Sequence, residues 1–193
     1  MSNNRRGLLI TIEGVSGRGK QVAMLTALAE RRRVPCVSIG MIDPSCHRTL
    51  DEMLGYLNRG VDVLCNGYVL SMTSMNRRSK SKVHNEWPVP DVVVYLKDAI
   101  HYMTCRAIRK DRRDVVDTNS VEYLSEYSTL SDKWGKYLEE YERAVRSERA
   151  EKKLSYSCTE GGRRIHNQIV SEIAISISSY RNTSHISLLS PAK

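Results

Sequence analysis

The sequence predicts an α/β domain, with a five-stranded, largely parallel sheet flanked by helices. Three observations carry this. Apolar segments of strand length alternate with amphipathic segments of helix length. The run Asp91-Val92-Val93-Val94-Tyr95-Leu96 is nearly continuous in β-branched residues, as suits a strand covered on both faces. The first strand candidate passes through a glycine-bearing turn directly into a helix. With 193 residues the chain has room for one ordinary domain around one core.

The elements follow in order. Gly7 to Glu13, rich in Leu and Ile, is the first strand, and a helix runs from Lys20 to about Arg33 with Val22, Leu25, Leu28 and Ala29 on one face. Arg31-Arg32-Arg33 puts cations at the negative end of its dipole. Pro35 to Ile39 reads as the second strand, Thr49 to Asn58 as a short helix striped by Leu50, Met53, Leu54 and Leu57, and Val61 to Cys65 as the third strand. Between Tyr68 and Trp87 the chain turns polar and basic (Arg77, Arg78, Lys80, Lys82), which predicts a short helix running into an exposed loop. Pro88 and Pro90 introduce the fourth strand, and a helix from about Asp98 to Lys110 follows it.

Asn119 and Glu122 have the spacing of a capping box for a long helix to about Arg149. On it Tyr127, Leu130, Trp134, Tyr137, Leu138, Tyr141 and Val145 form one stripe, expected to be core packing and not a cofactor surface. Lys153 to Cys158 is the fifth strand, and Arg163 to Ser179 a last helix with Ile165, Ile169, Ile173 and Ile177 at i+4 spacing. Residues 1–180 thus form a single domain, and the tail Arg181 to Lys193, which lacks periodicity, is expected to be disordered.

Composition narrows the function classes. A hydrophobic fraction of 40% is too high for a disordered chain, and no apolar run approaches the roughly 20 residues of a membrane span. The apolar stretch Leu8 to Ile12 is too short for a secretory signal. Five scattered cysteines without Cys-x-x-Cys spacing argue against a disulfide framework or zinc site and predict a reducing compartment, cytoplasmic or otherwise intracellular. The five histidines have no metal-ligand spacing, and no Gly-x-Ser-x-Gly elbow occurs, so hydrolase readings are set aside. The net charge of +8 suits a nucleic acid or a multiply charged nucleotide equally. Phenylalanine is absent, so all twelve Tyr and Trp rings carry a polar handle.

The chemistry-bearing motif is Gly14-Val15-Ser16-Gly17-Arg18-Gly19-Lys20, directly after a strand and opening a helix. In such a loop backbone N–H groups point inward at phosphate oxygens, glycines permit the tight curl, and the helix dipole favours the anion. Gly14, Ser16, Gly17, Arg18, Gly19, Lys20 and Gln21 are the candidate ATP-binding residues, with Lys20 reaching the β- and γ-phosphates. A phosphate-binding loop normally follows its lysine with Ser or Thr as a Mg²⁺ ligand, and here Gln21 stands there.

The stretch Ile10 to Gly14 running into this loop, together with Pro88-Val89-Pro90-Asp91 running into Val92 to Leu96, resembles the thymidylate kinase family of nucleoside monophosphate kinases. The order of elements after that strand is also similar, and the resemblance covers roughly residues 7 to 180. It implies a three-layer P-loop NTPase fold, transfer of the γ-phosphate of ATP to dTMP or a related nucleoside monophosphate, Mg²⁺, and a homodimer. It also implies an arginine-rich lid, here about 106–118, with Arg106, Arg109, Lys110, Arg112 and Arg113 closing over the transferring phosphate. Catalytic roles then fall to Lys20, Arg18, Arg106, Arg109 and Arg113, and acceptor contacts to Asp43, Arg48, Tyr68, Ser71 and Asn76.

The chain departs from the family at several places. Asn66-Gly67-Tyr68 stands where the family ends its third strand in Asp-Arg-Tyr, and Ser16 replaces the loop carboxylate that approaches the acceptor sugar. Between Ile39 and Val61 there is room for one helix where the family has two, and the missing one carries the ring under thymine. Three readings follow: a small kinase of this type, with activity reduced; a relative that binds nucleotide or a protein without catalysis; and a nucleic-acid-binding protein on the same scaffold. The third ranks last, because no helix-turn-helix, zinc or RNA-recognition signature accompanies the charge.

Overall fold

The computed structural model describes residues 6–14, 25–27, 29–34, 36–39, 47–68, 87–97, 99–111, 117–147, 149–157 and 162–186. Among them are five strands: β1 (Leu9–Gly14), β2 (Val37–Ile39), β3 (Val63–Asn66), β4 (Val92–Lys97) and β5 (Lys152–Ser157). The helices are α1 (residues 25–27 and 29–31), α2 (His47–Asn58), α3 (Ile100–Asp111), α4 (Val121–Ser147) and α5 (Gly162–Ile186). The five strands form one sheet in the order β2-β3-β1-β4-β5, and every pairing is parallel.

Register sorts the strand residues onto two faces, because side chains alternate. Ile10, Ile12, Leu64, Val92, Val94 and Leu96 pack with Leu25 and Ala29 of α1 and with Ile169, Val170, Ile173 and Ile177 of α5. On the opposite face Leu9, Val63 and Cys65 pack with Leu50, Met53 and Leu57 of α2, and with Tyr68 and Trp87. Further along that face Tyr95 meets Tyr141 and Val145 of α4. Helices on both sides of a parallel sheet make three layers. The valine run of β4 is fully buried because both faces are covered, as its composition predicts.

The amino edge of β1 is pinned from both sides. Its neighbours β3 and β4 are each preceded by an aspartate, and each carboxylate accepts a backbone N–H where the chain enters β1: Leu8 N–H reaches Asp62 Oδ1 at 2.9 Å, and Leu9 N–H reaches Asp91 Oδ2 at 2.7 Å. Asp91 also pairs with Arg6 at 3.3 Å, while its own backbone N–H bonds the Leu9 carbonyl and its carbonyl accepts Lys152 N–H. Gly7 donates to the Leu57 carbonyl at 2.7 Å. A Cβ there would lie 2.0 Å from the Val61 carbonyl oxygen, so only glycine fits.

Several expectations need correction. The cap of α4 is Ser120, whose Oγ accepts Tyr123 N–H at 3.1 Å; Asn119 instead donates its backbone N–H to the Asp117 carboxylate, so Asn119 and Glu122 do not form a capping box. Of the long α4 stripe, only Tyr141 and Val145 are fully buried, and the other five residues are half-buried. The cause is length: 27 residues rise about 40 Å, about twice the span of a six-residue strand, so only the last turns cover the sheet. β2 is three residues long, shorter than the five expected. The last helix continues past Ser179 to Ile186, because Tyr180 prolongs its apolar stripe against the core, and 187–193 lie outside the described residues.

Candidate functional site

The sheet order fixes where a ligand crevice belongs. From β1 the chain passes under one face through α1 to β2; it returns through α2, and from β4 to β5 through α3 and α4, on the other face. Opposite faces are what right-handed crossovers running in opposite directions require. The direction reverses at β1, whose two neighbours β3 and β4 belong to opposite halves of the sheet. Open parallel sheets bind their ligands outside the carboxyl ends of the strands at such a switch point.

Gly14, the first residue of the glycine-rich loop, lies there, the last residue of β1 and opposite Leu96 of β4. Asn66 ends β3 beside Ile12, and Gly67 N–H bonds the Ile12 carbonyl at 2.9 Å with φ 75°. The ends of β1 and β3 are therefore held together. Arg48 sits in the first turn of α2 and is exposed; Gly7 ties the far end of that helix to the amino edge, which turns the Arg48 end toward the carboxyl edge. Gly14, Asn66 and Arg48 thus share one side of the molecule.

Tyr68 is placed differently. Its ring is buried, packs edge-on against Trp87 with centroids 5.7 Å apart, and its hydroxyl donates to the Pro88 carbonyl at 2.7 Å. In this structure it braces the segment entering β4. Arg109 is exposed on α3, and the side chain of Arg106 on the same helix lies outside the described residues. So do Ser16, Gly17, Arg18, Gly19, Lys20, Gln21, Asp43, Ser71, Asn76, Lys110, Arg112 and Arg113.

Below Gly14 is a feature the sequence reading missed. Glu13 is fully buried, and the Tyr141 hydroxyl donates to its Oε2 at 2.8 Å across 128 residues of chain. Tyr141 stacks on Tyr95, the cross-strand neighbour of Glu13, with centroids 5.4 Å apart and planes at 26°. The aromatic series continues outward through Tyr137 and Trp134, at 6.2 Å and 5.8 Å. A signal was available, since a carboxylate ending an otherwise apolar strand needs a buried donor. The Glu13 charge, after burial itself, pushes the Cys65 thiol up to about 12.

From Tyr141 back to Val121 is a rise of about 30 Å, so the first turns of α4, with α3 beside them, extend past the carboxyl edge. Arg109 is carried on that projection. β3 ends in neutral Asn66, and among the described residues no three His, Cys, Asp or Glu side chains converge as a metal site. Among the described residues no helix is long and apolar enough to cross a membrane. No protein-family model matches the chain, and no curated protein is similar enough to count as a match.

Proposed function

We propose that the chain is a divergent relative of the thymidylate kinases that binds ATP at the loop following β1. The single observation that carries the reading is the coincidence of Gly14, which opens the glycine-rich loop with Lys20, with the switch point of the sheet. Backbone N–H groups and Lys20 cradle the triphosphate. The acceptor, dTMP or a related nucleoside monophosphate, enters between the end of β3 and the first turn of α2, where Arg48 offers a cation. Arg109, with Arg18, Arg106 and Arg113, neutralises charge on the transferring phosphoryl group. No step is routed through a protein-bound metal.

A second reading, nucleotide binding without transfer, is favoured by Asn66 and by Tyr68. The first leaves the end of β3 without a carboxylate, and the second is committed to Trp87 and Pro88 and is not offered to an acceptor. One experiment separates the two: purified protein with Mg²⁺, ATP and each deoxynucleoside monophosphate, following ADP release, beside a Lys20→Ala control. Turnover that the control abolishes supports the kinase. Thermal stabilisation by ATP without turnover supports the binding protein, and no response to any nucleotide overturns both.

A further inference from the structure

We propose that Cys105, with His101 and Tyr127, is a nucleophilic thiol site on the α3–α4 projection that forms a mixed disulfide with small disulfides. The inference is independent of the nucleotide reading. His101 and Cys105 are one turn apart on α3, and Cys105 Sγ lies 3.8 Å from both ring nitrogens of His101. His101 Nδ1 is 2.9 Å from the Tyr127 hydroxyl on α4. With Nδ1 protonated and donating to Tyr127, Nε2 is the basic nitrogen, at the same 3.8 Å from the thiol sulfur. A nucleophile, a base and a third group that orients the base is the arrangement activated nucleophiles share.

The surroundings agree. Tyr123 Oη lies 3.7 Å from Sγ and can donate to the thiolate; its phenol is held above its ordinary value first by that hydrogen bond, with burial next, while Arg109 pulls it down. Arg109 places a positive charge one turn beyond Cys105. His101 is exposed and Cys105 half-buried, so a small reagent can reach the sulfur. The other described thiols are held protonated. Cys36 is pushed up to about 11, by burial first and then by Asp62 and Glu30, and Cys65 up to about 12, by burial and Glu13.

The step balances without a further reagent. The Cys105 proton passes to His101 Nε2, and the thiolate attacks one sulfur of R–S–S–R. The S–S bond breaks and R–S⁻ leaves, taking the proton from the imidazolium as R–SH. The Cys105 sulfur is oxidised and the departing sulfur reduced. Glutathione disulfide, an anionic small disulfide, suits the Arg109 charge.

The test uses the full chain with Cys46→Ser and Cys158→Ser, since those two thiols lie outside the described residues. Glutathione disulfide is added at neutral pH and each adduct located by peptide mass. Cys105 should label at least about tenfold faster than Cys36 or Cys65, and His101→Gln should slow it about tenfold or more with the thermal midpoint unchanged. The pH–rate profile should change in shape between the unsubstituted His101 protein and His101→Gln, a change that a merely exposed thiol lacks. Labelling of Cys105 no faster than Cys36 and Cys65, an undiminished rate in His101→Gln, or a profile that this substitution leaves unchanged each overturns the assignment.

Discussion

The two edges of the sheet are built on opposite principles. At the amino edge the donors at the start of β1 are met from within the fold: Leu8 by Asp62, Leu9 by Asp91 and Gly7 by the Leu57 carbonyl. At the carboxyl edge the fold supplies a switch point, a glycine and a neutral Asn66, and the hydrogen bond of Tyr141 to Glu13 braces β1 a residue below the loop. One edge is closed by side chains of the fold, and the other carries the proposed ligand site. Charged side chains differ in kind as well: the aspartates at the amino edge act as caps, and the cations assigned to the carboxyl edge are proposed to act on phosphate.

The largest effect should come from breaking the amino edge. Gly7→Ala forces a Cβ against Val61 and is expected to cost more than about 3 kcal/mol, read as loss of the folded population in urea. Asp62→Ala leaves the buried Leu8 N–H without its acceptor and should cost about 1–3 kcal/mol. Neither cost should depend on ATP.

Lys20→Ala should do the reverse, leaving the thermal midpoint of the free protein unchanged and removing the stabilisation that ATP gives, which is about 2.7 kcal/mol at a hundred times Kd. Tyr141→Phe tests whether the brace belongs to stability or to the loop. It deprives the buried Glu13 carboxylate of a donor and should cost about 2 kcal/mol. A loss of ATP affinity beyond that of a distant mutation of equal cost would assign it to the loop.

The smallest effect is a pH dependence at the outer strand β5. Glu172 is held below the usual carboxylate range, first by the hydrogen bond from Tyr156 and then by that from Gln168. A depressed carboxylate contributes stability that is present above its ordinary value and lost as pH falls through its folded value. Tyr156→Phe should therefore narrow the gap in midpoint between neutral and acid pH, with little change once Glu172 is protonated.

How much of this was legible follows from range. The β4 run, the α5 stripe and the apolar strand that ends at Gly14 are local patterns, and composition and periodicity read them. The amino-edge pins were not legible: Asp62 and Asp91 act on amides 54 and 82 residues away, and nothing nearby marks a carboxylate as a cap for a distant strand. In sequence Asp91 stands out only inside Pro88-Val89-Pro90-Asp91, and its hydrogen bond to the Leu9 amide is visible only in the fold. Ser120 displaced Asn119 because either residue can cap and only the geometry of the preceding turn chooses. Tyr68 fitted a family position in sequence, whereas its burial against Trp87 depends on a ring nineteen residues on.

The separation of those pins has a consequence in time. β1 precedes the other four strands in the chain and is the central strand of the sheet, yet the groups that fix its start arrive with residues 62 and 91. At about 5–20 residues per second, roughly 4 to 16 seconds pass between Leu9 and the aspartate that receives its amide. Until then β1 can pair with β3 on one side, while the side that β4 takes has no strand to meet it, and a nascent chain halted before Asp91 should be the species that a holdase chaperone captures.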